Sequence, residues 1–99
     1  MKLSIKDALK SAIEQQKAGK VYQADRLYSA ILKLEPNHPE ANHNLGVIAV
    51  STNQLPQSLP FFKKALEARP SHAQFYVSAL DVLIRLDLAV EARTLLNKA

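Results

Sequence analysis

The stretch EPNHPEANHNLGVIAV, residues 35–50, decides how this chain folds, because it joins a turn to the start of a helix. Pro36 stands in the turn. Pro39 suits the first turn of a helix, where the backbone N–H that proline lacks is not needed. Asn37 stands three residues before Glu40, which is the spacing of a capping box. The stretch therefore predicts that a helix begins here and that it contains the apolar run that follows.

The features of this stretch return along the chain with a period of 34 residues. Pairs at this separation are Pro36 with Pro70, His38 with His72, Tyr28 with Phe62, and Leu32 with Leu66. Within each period, apolar residues recur three and four residues apart in two blocks, which is typical of two amphipathic helices. Residues at the predicted N-caps of the first helices are Ser4, Asn37 and Ser71. One hairpin of helices cannot bury its apolar face alone, so the period predicts a stack of hairpins.

The length and composition limit the classes of protein to which the chain can belong. Its 99 residues suit a single domain, and the 47% apolar and 22% charged residues predict a folded chain. The absence of cysteine excludes disulfides, thiolate nucleophiles and zinc sites built on sulfur. No apolar stretch is long enough for a signal peptide or a membrane span, so we expect a cytoplasmic protein with no membrane partner.

The net charge of +4 is spread unevenly, with the excess of lysine and arginine in residues 1–34. Nucleic-acid-binding domains usually carry denser basic stripes, so this distribution favours an acidic protein or peptide partner and no nucleic acid. Lys6, Lys10 and Lys17 are separated by four and seven residues, which places them in one stripe of the first helix. The stripe either holds an acidic partner or is a solvated face.

A 34-residue helix–turn–helix period with an aromatic residue, small residues and a proline at fixed positions resembles the tetratricopeptide repeat. The second period carries the densest signature, with NLG ending at Gly46, then Phe62, Ala65 and Pro70. This second repeat is most similar to the repeats of O-GlcNAc-transferase-type proteins.

The resemblance covers nearly the whole chain as one domain, 1–99, with repeats at 5–38, 39–72 and 73–99. The third repeat departs from the family at Ala79 and Leu80, where a large residue and then a small one are preferred. This departure calls the close approach of its two helices into question.

The resemblance implies an all-α protein, a right-handed superhelix of antiparallel helical hairpins whose first helices line a concave groove. Such a groove binds a peptide or a partner domain, and the chain is then a non-enzymatic interaction module that needs no cofactor or metal. Carried over residue by residue, the groove positions are Lys6, Lys10, Ile13, Lys17, Glu40, His43, Asn44, Val47, Ser51, Gln74, Val77, Ser78, Asp81 and Arg85.

The three histidines do not have the spacing of a metal site. His38 and His43 are five residues apart, whereas two imidazoles on one helix face are four apart. We interpret His38 and His72 as turn residues and His43 as a groove residue that contacts a partner. Asn44 offers both a donor and an acceptor, so it either grips a peptide backbone or bonds between helices.

Other interpretations of the pattern are weaker. The two-carboxylate clamp of chaperone-tail binders requires lysine, asparagine and arginine at five groove positions, and only Asn44 fits here. Tyr28, Phe62 and Tyr76 fall on repeat core positions, which favours packing over base stacking. No acid, base and nucleophile converge on one predicted face, so we expect no catalytic residues.

Two alternative functions stay open at this point. Because the chain stops within its last helix, we expect it to be the N-terminal part of a longer protein, in which it would recruit a substrate or partner for a glycosyltransferase-like, sulfotransferase or methyltransferase domain. The other alternative is homo-oligomerisation through the uncapped C-terminal helix, where Leu95 and Leu96 would be partly uncovered.

Overall fold

The computed structural model describes residues 4–98, which form helices joined by short turns. Along the chain these are α1 (Ile5–Lys17), α2 (Val21–Leu34), α3 (Pro39–Ser51), α4 (Leu55–Ala68), α5 (Ala73–Arg85) and α6 (Ala89–Lys98). Each helix packs against the next one in sequence, so three hairpins stack in chain order. The first helices of the hairpins begin 34 residues apart. The predicted all-α stack of helical hairpins is confirmed.

The turn inside each hairpin has the same backbone geometry. Gly19, Asn53 and Asp87, each 34 residues from the next, have φ angles of 78°, 63° and 59°. The residue after each of them donates its N–H to a carbonyl five residues earlier, at 2.9, 2.7 and 2.9 Å, which closes the end of the first helix. Glycine, asparagine and aspartate are the residues that adopt this left-handed conformation most readily, which explains why one of them stands at each of the three turns.

The N-caps of α1 and α3 differ in how well the sequence predicted them. Ser4 accepts a hydrogen bond from the Asp7 N–H at 3.0 Å, as predicted. In α3 the cap is His38, whose Nδ1 accepts from the Ala41 N–H at 3.1 Å, so the prediction of Asn37 was wrong by one residue. The reason is that Pro39 is the first helical residue, and the cap is the residue just before it.

The cap of α5 also lies one residue beyond the prediction. His72 occupies the N-cap, in place of the predicted Ser71, and its side chain makes no capping hydrogen bond. The imidazole packs on the ring of Phe75 instead, with ring centroids 4.0 Å apart. Apolar stacking therefore replaces backbone capping at the start of this helix.

The predicted core residues Tyr28 and Phe62 are buried, but Tyr76 is not. Tyr76 is half-buried and its hydroxyl donates weakly to the Leu95 carbonyl at 3.4 Å, so its assignment to the core was wrong. The buried aromatic residue of α5 is its neighbour Phe75. Adjacent residues on a helix point about 100° apart, and α5 turns the Phe75 side toward the preceding hairpin.

Gly46 lets α4 approach α3 closely. A Cβ atom at this position would lie 2.5 Å from Cε1 of the Phe62 ring, inside the contact distance of carbon atoms. The ring of Phe62 therefore lies directly on the backbone of α3. The equivalent pair in the first hairpin is Ala12 with Tyr28, and both of those residues are fully buried.

We expect Gly46→Ala to lower the free energy of unfolding by about 1–2 kcal/mol, because overpacking in the core outweighs the better helix propensity of alanine. The measurement is chemical denaturation of the wild type and the variant. In a Phe62→Leu background, where the flat ring is absent, the same substitution should cost much less. An equal cost in both backgrounds would show that the ring is not the cause.

Candidate partner-binding groove

The predicted groove residues lie on the first helices of the hairpins, α1, α3 and α5, and differ in exposure. Exposed members are Lys6, Lys10, Lys17, Ser51, Gln74, Val77, Asp81 and Arg85, half-buried members are Ile13, Glu40, Asn44, Val47 and Ser78, and His43 is buried. The first helices thus present a surface that is basic on α1 and mixed on α3 and α5.

A shallow depression brings four of the predicted residues together. Val47 and Ser51 of α3 face Ser78 and Asp81 of α5 across a volume of about 260 Å³. The other lining residues are Val50, Phe62 and Val82. The buried Phe62 and Val82 form an apolar floor, and the exposed Ser51 and Asp81 form a polar rim.

Charged groove residues on α3 and α5 have ion-pair partners. Glu40 lies 3.4 Å from Arg69 at the end of α4, and Asp81 lies 3.5 Å from Arg85 one turn along α5. Both pairs are exposed to solvent, so each contributes little to stability. The three lysines of the α1 stripe have no ion pair among residues 4–98.

His43 connects the second hairpin to the third. Its Nε2 lies 2.8 Å from the Ser78 hydroxyl, which also accepts a hydrogen bond from Gln74 Nε2 at 3.1 Å. Its Nδ1 lies 3.4 Å from Oδ1 of Asn44. The ring stacks on Phe75 at a centroid distance of 4.8 Å. Only 8% of the residue is exposed, so the imidazole lies between the hairpins and not on the open groove wall where it was predicted.

The protonation state of His43 follows from this environment. Burial lowers the pKa of His43, while the hydrogen bond with Asn44 raises it and the nearby His72 lowers it further. The net direction is downward, so the ring is neutral at pH 7. A neutral ring with its proton on Nδ1 donates to Asn44 and accepts from the Ser78 hydroxyl.

The hydrogen bonds continue from Asn44 into the first hairpin. Burial raises the pKa of the Tyr28 phenol, and a hydrogen bond with the Asn44 side chain offsets part of this rise. The Tyr28 hydroxyl in turn donates to Gln16 Oε1 at 2.6 Å. A chain of polar groups therefore joins α5 to α1 through α3 and α2. We name Gln74, Ser78, His43, Asn44, Tyr28 and Gln16 the polar chain.

The half-buried side chain of Asn44 bonds to the adjacent His43 and to Tyr28 of α2, which is one of the two roles that the sequence left open for it. A contact of Asn44 with a partner stays a prediction. Sequence reasoning missed Gln16, Phe75 and the hydroxyl of Tyr28 as parts of the site. The signal in the sequence was Tyr28, which stands at the core position where the second repeat has Phe62. A buried phenol, unlike a phenyl ring, needs a hydrogen-bond partner.

A stack of helical hairpins with a 34-residue period defines the chain as a helical-repeat protein. Residues 9–73 match the sequence family described as tetratricopeptide repeat. The chain belongs to the tetratricopeptide repeat family, and its fold is that of a protein-interaction repeat module.

A solved structure described as the MamA RS-1 ArsTM double mutant is similar to the chain, with a TM-score of 0.76 and 23% sequence identity. The similarity covers 93% of this chain and 53% of that one, so the chain spans about half the length of the solved protein. At this identity the similarity concerns the fold. The predicted similarity of the second repeat to O-GlcNAc-transferase-type proteins stays a prediction.

The lowered pKa of His43 makes stability depend on pH. As the pH falls below about 6.5, the unfolded chain binds a proton at His43 before the folded chain does. The contribution of His43 to the free energy of unfolding is therefore complete above that pH and is lost as the pH falls below it. We expect the Tm of the wild type to fall between about pH 7 and pH 5, and that of His43→Gln to fall less steeply.

The matched control for this experiment is Ser58→Ala, which removes the hydrogen bond from the buried Ser58 hydroxyl to the Leu55 carbonyl at 2.6 Å and leaves all three histidines in place. Its Tm should depend on pH as steeply as that of the wild type. If His43→Gln retained the full slope, another group would be responsible for the pH dependence.

Proposed function

We propose that the groove along α1, α3 and α5 binds an extended acidic segment of a partner protein and has no catalytic activity. The observation that carries the proposal is the depression between α3 and α5, which has an apolar floor and lies among predicted groove positions. A partner side chain placed there would bury apolar surface, which is the main favourable term in most protein association.

The charge of the first hairpin supports an acidic partner. The lysine stripe, Lys6, Lys10 and Lys17, is exposed and carries no ion pair within the part of the chain that the structure describes. Carboxylates of a partner would meet three cations there without displacing an existing partner. Such contacts accelerate association and select partners by charge.

The polar chain supports a groove of fixed shape. Its hydrogen bonds join α1, α2, α3 and α5 through the buried His43 and Tyr28 and the half-buried Gln16, Asn44 and Ser78. Fixing the distance between the first helices before binding reduces the conformational entropy that a partner must overcome.

A charge-reversal experiment tests the proposal. We expect Lys6→Glu combined with Lys10→Glu and Lys17→Glu to weaken binding of a fluorescein-labelled acidic peptide by at least about tenfold, because three attractions become repulsions. Fluorescence anisotropy at low ionic strength measures the affinity. Added salt should weaken wild-type binding as well.

The matched control changes the same number of lysines outside the groove. Lys20, Lys33 and Lys64 are exposed and lie on or beside α2 and α4, so their replacement by glutamate alters the net charge equally. This control should bind the peptide much more tightly than the groove variant. Equal loss in both variants would mean that net charge, and not the groove, attracts the peptide.

A second candidate function, homo-oligomerisation through the third hairpin, is favoured by its exposed apolar side chains. Val77, Ile84 and Leu96 are exposed by 53%, 63% and 53%. Ile84 and Leu96 line a depression of about 280 Å³ together with Asp87, Leu88, Ala92 and Arg93. Clusters of this kind often mark protein–protein contacts.

We expect the molar mass measured by light scattering to rise with protein concentration if this surface pairs two copies. Replacing Ile84 and Leu96 by lysine should then keep the protein monomeric without loss of helicity, since both side chains are exposed. A wild-type protein that stays monomeric at the highest concentration would rule out this candidate.

A further inference from the structure

A cleft separates α4 from α6, the second helices of the last two hairpins. Both helices pack against α5, which lies between them. Apolar side chains that line the cleft are Leu66, Pro70, Ala79, Leu83 and Leu95. We name these residues, together with Lys63, Glu67, Glu91 and Thr94, the α4–α6 cleft. None of them is a predicted groove position, so the cleft is a separate surface.

The α4–α6 cleft has the size and lining of a site for a small organic molecule. Its volume is about 470 Å³, and such sites measure about 300–1,000 Å³ and have mainly apolar walls. The buried Ala79 and Leu83 form the floor. These two side chains offer no hydrogen bond, so the floor favours an apolar ligand body over a polar one.

The corresponding positions one repeat earlier are filled differently. Three apolar positions line both the cleft and a depression between α2 and α4, and the aligned residues are Leu45 with Ala79, Phe61 with Leu95, and Ala49 with Leu83. Two of these changes shorten the side chain and one lengthens it. The cleft is accordingly larger than the depression, which measures about 400 Å³.

The rim of the cleft is charged. Lys63 of α4 and Glu91 of α6 span it, with the Nζ and Oε2 atoms 3.1 Å apart. Glu67, one turn after Lys63 on α4, is exposed and forms no ion pair among the side chains that the structure describes. One positive and two negative charges therefore leave the rim with a net negative charge.

We propose that the α4–α6 cleft binds a small organic amine, with the apolar body of the ligand in the cleft and its ammonium group at the rim beside Glu67. The ammonium would pair with a carboxylate that has no other ion-pair partner, next to apolar walls that strengthen the attraction. An anionic ligand would face Glu67 and would have to displace Glu91 from Lys63. The cleft shares no residue with the proposed groove, so this inference is independent of the proposed function.

Two alkyl amphiphiles of opposite charge test the proposal. Octylammonium and octanoate, both below the concentration at which micelles form, are titrated into ¹⁵N-labelled protein at neutral pH, and shifts of backbone amide signals locate and measure binding. We expect octylammonium to shift amides of α4, α5 and α6 saturably and to bind at least about threefold more tightly than octanoate. The net charge of the whole chain is +4, so general electrostatic attraction would favour octanoate instead.

Two variants assign the contacts. Glu67→Gln should remove the preference for the cation, and Ala79→Leu, which introduces the residue of the preceding repeat, should fill the cleft and weaken both ligands. Glu67 is exposed, so the first variant keeps the test valid if the buried Ala79 proves necessary for folding. The matched control is Glu14→Gln, which makes the same change of charge at an exposed position of α1 and should keep the preference.

Three results would overturn the proposal. The first is octanoate binding as tightly as octylammonium or more tightly. The second is the absence of saturable shifts in α4, α5 and α6 at millimolar octylammonium. The third is a preference for the cation that Glu67→Gln leaves unchanged. None of these results bears on binding of a partner in the groove, which the lysine variants test separately.

Discussion

The structure depends on the contact between the ring of Phe62 and the backbone of Gly46. Because no side chain separates them, α3 and α4 approach closely and together form a surface against which α5 packs. The third hairpin has Leu80 and Leu96 at these positions, and there the second residue is largely exposed. A leucine in place of glycine occupies the space that a ring would fill, so the final hairpin has a less complete core.

The second constraint is polar and runs across the hairpins. The polar chain needs a neutral imidazole at His43 and a phenol at Tyr28, and a substitution at either position removes one hydrogen bond from a half-buried partner, Ser78 or Gln16. Apolar packing alone would hold the hairpins together but would allow small sliding movements. The contact between His43 and Ser78 joins α3 to α5 at the depression that Ser78 also lines, and so it connects the packing of the hairpins to the shape of this surface.

Much of the fold could be predicted from the sequence because the pattern of one helical hairpin occurs three times along the chain. Pro36 and Pro70 in the turns between hairpins, and the small residues Ala24, Ser58 and Ala92 on the second helices, recur at the 34-residue period. The N-caps of α3 and α5 were displaced by one residue, since local spacing does not tell which of two adjacent polar residues is the last before the helix.

The site was less predictable, because the direction of a side chain depends on packing between hairpins. The sequence placed His43 in the groove, as its helix position allows, but Phe75 and Phe62 enclose the ring from the neighbouring helices. Tyr76 and Phe75 are adjacent aromatic residues, and the choice between them depends on the rotation of α5 about its axis. The burial of His43, and the burial of Phe75 in place of Tyr76, both follow from contacts between residues more than 15 positions apart. A local sequence pattern does not contain such contacts.

The lysine stripe is the feature that helix stability explains least. Lys17 lies in the last turn of α1, where a positive charge favours the helix dipole, but Lys6 lies in the first turn, where it opposes the dipole. Neither residue forms an ion pair in the described part of the chain that would offset this cost. By contrast, Glu40 and Asp81 on the neighbouring helices are both paired. Lys6 therefore stabilises neither its own helix nor an ion pair among the described residues, and this is the observation that motivates the proposed acidic partner.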